Sequence, residues 1–374
     1  MKKRTALVIL LVISLLSLTF LSGCGTDASE EPAVEEEVTA PESEQEEAEE
    51  PAQEEAEEPA EETAEEEMEK LQVALILSTS PADQTWGYNA HQAFQNVAEK
   101  LDFVEIAGVD ENVSETDAES FMMEYGRDGV DVVINNSFGF WESAQRATEA
   151  FPDMVAVFPG GDESLTTENV GTYYPNTYEA TYLVGMTAGL MTESDQIGYV
   201  LSVALPPLMA ETNAYIEGAK AVNPDVEVSV IETGDFTIDA TRESEATQTL
   251  IDQGIDFLGF QLNGLAALDT AADAGIFVST PFVSQQDLAP DSWVTCSRWN
   301  WEPYYEWLFT SVYEGTWESS AEYWGLQRGM ADICEFSDLV PEEVQEQVMV
   351  KKQEILDGSF EVPYLIEERL WETE

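Results

Sequence analysis

Val73-Ala74-Leu75-Ile76-Leu77 runs without a charge toward the polar stretch Asp83-Gln84-Thr85-Trp86-Gly87-Tyr88-Asn89-Ala90-His91, and a helical pattern continues over 88–100. Five apolar residues without alternation describe a strand buried on both faces, the signature of a parallel sheet covered by helices. The unit recurs: strand-like 103–107, helix-like 116–127, strand-like 130–134, helix-like 141–150 and strand-like 154–158. A second series follows Pro175, with a helix over 178–191 and strands over 197–203, 226–231, 257–261 and 276–279. Such alternation predicts an α/β fold built from βαβ units. The globular part, 71–374, is longer than one core usually holds, so two lobes are expected. Ligands of open parallel sheets sit beyond the carboxyl ends of the strands, which places a cleft between two facing lobes.

The N-terminus carries a separate instruction. Lys2, Lys3 and Arg4 precede an apolar run over 6–20, which ends in Leu21-Ser22-Gly23-Cys24. This is signal-peptide architecture, and the terminal cysteine makes it resemble the bacterial lipobox. Residues 1–23 are therefore expected to be removed and Cys24 to be lipidated, holding the protein to the extracytoplasmic face of a cell membrane. An uncleaved transmembrane anchor is the competing possibility. From Gly25 to Lys70 there are 22 acidic residues and one basic residue, with an imperfect octad repeat and no aromatic. Such a segment cannot build a core and is expected to remain a solvated, disordered tether over 24–70.

The remaining 304 residues hold 54 acidic and 10 basic side chains, a net charge of −44. The folded surface itself must therefore be strongly acidic. Self-repulsion on this scale destabilises a compact chain unless ions screen it, so a halophilic or haloalkaliphilic source is expected. Nucleic acid is a poor partner for such a surface. The 44% hydrophobic content and nine tryptophans still describe a core-forming protein.

The strand-end loops carry the candidate chemistry. Asp83 to His91 follows the first strand, and Asn135-Asn136-Ser137-Phe138-Gly139-Phe140-Trp141 follows the third. The second series offers Gly234-Asp235-Phe236, then Gln261-Leu262-Asn263-Gly264. Cys296-Ser297-Arg298-Trp299-Asn300-Trp301 is expected just beyond a returning strand. Aromatic faces interleaved with amides and hydroxyls suit a flat heteroaromatic ligand. Tyr304, Tyr305, Trp307 and Phe309 read as the packing face of a late helix. One histidine and scattered cysteines leave no zinc pattern, and there is no Gly-x-Ser-x-Gly elbow. No enzyme activity, metal or cofactor is expected. Cys296 and Cys334 are permitted to pair by export, but their spacing leaves the question open.

Several motifs in order resemble the basic membrane protein family, the PnrA-like substrate-binding lipoproteins of ABC importers. They are Asp83 to His91, then Ser137-Phe138-Gly139, then Tyr182-Leu183-Val184-Gly185-Met186-Thr187-Ala188-Gly189-Leu190-Met191. Gly218 to Asp225, Trp299 to Tyr305 and Gly315-Thr316-Trp317 complete the match. The resemblance implies a two-lobed type I periplasmic-binding-protein fold that closes on a purine nucleobase or nucleoside and docks on a permease with its ATPase. It divides the chain into first lobe 71–175, second lobe 176–284, a returning first-lobe segment 285–316 and a second-lobe segment 317–374. Carried over by position, Trp86 and Phe236 are the stacking rings from opposite lobes. Asp83, Asn89 and Ser137 border the first-lobe face, with Asn263 and Gly264 opposite, and Phe138 and Trp299 are further aromatic candidates for the ligand. The chain departs from the family at Phe282-Val283-Ser284-Gln285-Gln286, where nucleoside binders carry aspartates that grip ribose, and at Trp299, which stands where the family has a lysine. These departures favour a bare base over a nucleoside. A surface sensor or adhesin on the same fold, or a binder of another flat solute such as a flavin, is the alternative.

Overall fold

The computed structural model describes residues 70–372; the signal peptide, Cys24 and most of the acidic tether lie outside the described residues. The first lobe opens with β1 (Leu71–Leu77), α1 (Trp86–Lys100), β2 (Val104–Asp110), α2 (Ala118–Asp128) and β3 (Val132–Asn136). It continues through α3 (Trp141–Ala150), β4 (Val155–Pro159) and β5 (Val170–Pro175). The chain then crosses into α4 (Tyr178–Met191), β6 (Gln196–Leu201), α5 (Pro206–Val222), β7 (Glu227–Glu232), α6 (Ala240–Asp252) and β8 (Phe257–Gln261). Next come α7 (Ala266–Ala274), β9 (Phe277–Phe282), β10 (Trp293–Trp299), α8 (Glu302–Tyr313), β11 (Ala321–Trp324), β12 (Ala331–Ile333) and α9 (Glu342–Leu356).

The first sheet runs β11-β5-β4-β3-β1-β2 and the second β12-β10-β9-β8-β6-β7. All pairings are parallel except β10 with β12. Strands β3, β4 and β8 are buried at every residue. That matches the uninterrupted apolar runs of the sequence, because each sheet has a hydrophobic cluster on either face. The expected α/β architecture, two parallel-sheet lobes flanked by helices, is what the chain forms.

The division of the late chain differs from expectation. Trp293–Trp299 pairs with β9 and β12 in the second sheet, so 285–299 stays with the second lobe. What returns to the first is α8, whose Tyr304, Tyr305 and Phe309 are buried against its core, and β11, which pairs with β5. The reason is register: β10 has an apolar partner strand on one side and the short antiparallel β12 on the other. Cys296 to Trp299 accordingly lie inside the strand, not beyond it. Cys296 is bonded to Cys334, just after β12, with Cα atoms 4.9 Å apart.

The second lobe is braced by α4 and α5, which pack nearly backbone to backbone. A Cβ on Gly185 would collide with the Tyr215 carbonyl, and one on Gly218 with the Tyr182 carbonyl. Two glycines that are costly inside a helix are kept because the helices approach too closely for any side chain.

Candidate functional site

Each sheet reverses its strand order once on the side nearest its first strand: β2-β1-β3 in the first and β7-β6-β8 in the second. The loops leaving the two central strands of such a reversal diverge to opposite faces and open a crevice at the carboxyl ends. In the first lobe those are the loops after β1 and β3, and in the second those after β6 and β8. Asp83, Ser137, Phe138, Asn263 and Gly264 fall on or beside these loops, Trp86 and Asn89 in the first turn of α1 just beyond the one after β1, and Phe236 on the loop after β7.

The two crevices are linked directly. Thr85 Oγ1 donates to the Asn263 carbonyl at 2.7 Å, and Asn263 Nδ2 donates to the Phe236 carbonyl at 3.2 Å. Gln285 Nε2 donates to the Gln84 carbonyl at 2.7 Å. A further bridge is buried: Asn89 Nδ2 donates to the Trp299 carbonyl at 2.9 Å. Two non-glycine residues at this junction hold left-handed backbone, Gln84 at φ 58° and Phe282 at φ 68°. Such conformations cost energy and collect where function demands a set geometry.

Trp86 opens α1 and is half-buried. Its indole nitrogen donates to the Asn136 carbonyl at 3.0 Å, tying the loops after β1 and β3 together. Trp299 and Trp301 each meet it edge-on with centroids 5.6 Å away, and Phe282 at 6.2 Å. Trp299, at the end of β10, is only 1% exposed and belongs to the hydrophobic cluster that Trp86 packs against. Asn89 Oδ1, Trp299 Nε1 and Trp301 Nε1 are buried without a hydrogen-bond partner among the described residues. Leaving such groups unpaired costs about 1–3 kcal/mol apiece, so a cluster of them beside a ring cage favours a polar guest or ordered water.

The remaining candidates fall as follows. Asp83 closes the short 3-10 turn before Trp86. Ser137 is half-buried and extended at the end of β3, and Phe138 beside it is 50% exposed, its ring edge-on to Phe158. Phe236 is 47% exposed. Its loop is clasped by Arg242, which donates to the Thr233 carbonyl at 3.1 Å and to Asp235 at 2.7 Å. The guanidinium holds the Asp235 carboxyl below the usual range. Gly264 is buried against the Glu243 carboxyl, which leaves no room for a side chain there and accepts from the first amide of α7 at 3.2 Å. Burial pushes the Glu243 carboxyl up. Gly264 thus serves the start of α7. Asn136, Phe282 and Trp301 also meet Trp86, and nothing in a linear pattern marks them as its neighbours.

The chain matches the model of the ABC transporter substrate-binding protein PnrA-like family over residues 70–365. It is 32% identical to a purine-binding protein of Brucella abortus over 292 residues, 78% of this chain and 82% of that one. It is 30% identical to TsgA13 of Haloferax volcanii, assigned as an ABC transporter glucose-binding protein, over 79% of this chain and 74% of that one. Among solved structures, a solute-binding protein of an ABC transporter from Conexibacter woesei superposes with a TM-score of 0.67 at 22% identity, covering 79% of this chain and 99% of the other. One from Aeropyrum pernix gives 0.66 at 18% identity, over 78% and 94%. Together with the paired crevices, these matches show that the chain belongs to the PnrA-like family of ABC transporter substrate-binding proteins.

Proposed function

We propose that this protein is the extracytoplasmic receptor of an ABC importer that encloses a purine-type base or nucleoside between its lobes and delivers it to the permease. The observation that carries the proposal is the meeting of the two switch-point crevices around Trp86, with unpaired buried polar atoms beside the ring. A planar guest stacks on aromatic faces, worth about 1 kcal/mol per pair, and its ring nitrogens and exocyclic groups answer the amide and indole groups. Phe236 supplies the opposing ring, and Asn263 and Thr85 close over the guest. Ser137 and Phe138 complete the rim on the first lobe, next to the short turn that ends at Asp83. The purine class is supported by the Brucella relative, and the absence of an aspartate in 282–286 favours base over nucleoside. Lipidation at Cys24 would moor the receptor beside its permease, with the acidic segment as spacer.

A sugar is the second reading, favoured by the Haloferax relative, because aromatic platforms also stack against pyranose faces. Calorimetry in molar salt with adenine, hypoxanthine, guanine, adenosine, guanosine and glucose separates them. Purine bases are expected to bind most tightly. Binding of glucose with no heat from any purine would overturn the proposal, and tighter nucleosides would reverse only the preference for a bare base.

A further inference from the structure

Away from the aromatic cleft, the crossover from β5 into α4 passes a buried acid. Glu211, in the second turn of α5, is 1% exposed. Its Oε1 accepts from the Thr177 hydroxyl at 2.6 Å, while Oε2 has no partner among the described residues. The carboxyl lines a cavity of about 10 Å³, room for roughly one water. The walls of that cavity come from both lobes. Tyr174 and Tyr323 belong to β5 and β11 of the first sheet, Tyr178 and Pro207 to α4 and α5, and Tyr364 to the C-terminal tail. Glu211 is therefore buried where the crossovers join the two lobes.

The groups that face this carboxyl are phenols. Tyr174 from β5, Tyr199 from β6 and Tyr364 from the tail act on it electrostatically, and Tyr178 and Tyr323 share the cavity wall. Burial pushes all five upward, so they stay neutral where carboxyls titrate. Glu179, on α4, turns instead to the Leu326 amide at 2.7 Å. No lysine, arginine or histidine lines the cavity. An unpaired buried carboxylate is strongly disfavoured in such a place.

We propose that Glu211 is a proton-binding site built into the hinge, so that closing the lobes takes up one proton and opening them releases it. In this structure burial raises the carboxyl to about 8, opposed only by the Thr177 bond, and this buried arrangement is taken as the closed one. Opening lets water reach the group and returns it toward the ordinary carboxyl range. A group with a raised closed-state pKa favours closure fully at acid pH. That advantage declines as pH rises from the ordinary range, by up to about tenfold in the closed-to-open ratio per unit, and levels off above about 8.

The test follows lobe closure itself, without ligand, so its failure leaves the purine proposal standing. Dyes are attached through Glu105→Cys and Glu227→Cys, exposed positions on edge strands of the two sheets, in the full chain in molar salt. Energy transfer is followed from roughly pH 6 to 9. The parent is expected to open as pH rises. Glu211→Gln, which keeps an acceptor for Thr177 but cannot ionise, is expected to give a flat profile. Equal profiles in the two proteins, or opening that follows sodium or potassium and not pH, would overturn the proposal. If Glu211→Gln fails to fold, the infrared carbonyl band of the unaltered protein decides. Its loss in step with opening supports the proposal, and an ionised Glu211 at about pH 6 overturns it.

Discussion

Phe236 combines a half-exposed ring with a well-held loop, which makes it the cleanest residue on which to test the cleft. Phe236→Ala removes no core contact, so stability is expected to stay within about 0.5 kcal/mol while ligand affinity falls roughly tenfold. Calorimetry beside a denaturant melt checks both, and unchanged affinity would remove Phe236 from the site. Thr85→Val deletes the hydroxyl that reaches Asn263 but keeps the shape. A loss of about 0.5–1.5 kcal/mol in binding is expected, showing mainly as faster release in stopped flow. Trp86 was legible as a candidate because an indole in a polar loop after a buried strand has few structural duties. The burial of Trp299 within a strand is not legible in the same way, because the face a strand residue presents depends on register, and register depends on the neighbouring strands.

Elements carry a different kind of constraint. The α4–α5 contact tolerates no side chain at Gly185, so Gly185→Ala is expected to cost about 1–3 kcal/mol and to lower the denaturant midpoint without changing the slope. A midpoint equal to the parent's would show that the helices can separate at little cost. The Cys296–Cys334 bond closes a loop across 38 residues and pins β12 to β10. Its reduction is expected to remove roughly 3–4 kcal/mol, read as a lower melting temperature in reductant. The strands that were legible, such as 73–77 and 257–261, are those with unbroken apolar runs. Val170–Pro175 is not legible as a strand because glycine, threonine and a closing proline break the run, although every residue of it is buried. Helices α6 and α7 were likewise invisible among short polar and small residues.

At the scale of the whole molecule, charge dominates. The chain carries 76 acidic against 14 basic residues. The ion pairs among the described residues lie largely at the surface, where each is worth little. Repulsion across the folded body therefore remains until salt screens it, the Debye length falling to about 3 Å at 1 M. Melting temperature is expected to climb steeply from low to molar potassium chloride. A flat melting series would contradict both the electrostatic argument and the expected halophilic source.

Sequence alone determined the α/β class, the two series of βαβ units and the family, because these rest on local apolar periodicity and on motifs contiguous along the chain. It also placed the polar loops at strand ends, where a site must be built. Tertiary structure decided which lobe holds β10 and that Trp299 is buried. It also decided that Thr85 reaches Asn263 and that Glu211 is shut in at the crossovers. Those are contacts between segments far apart in the chain, and only packing brings them within reach of one another.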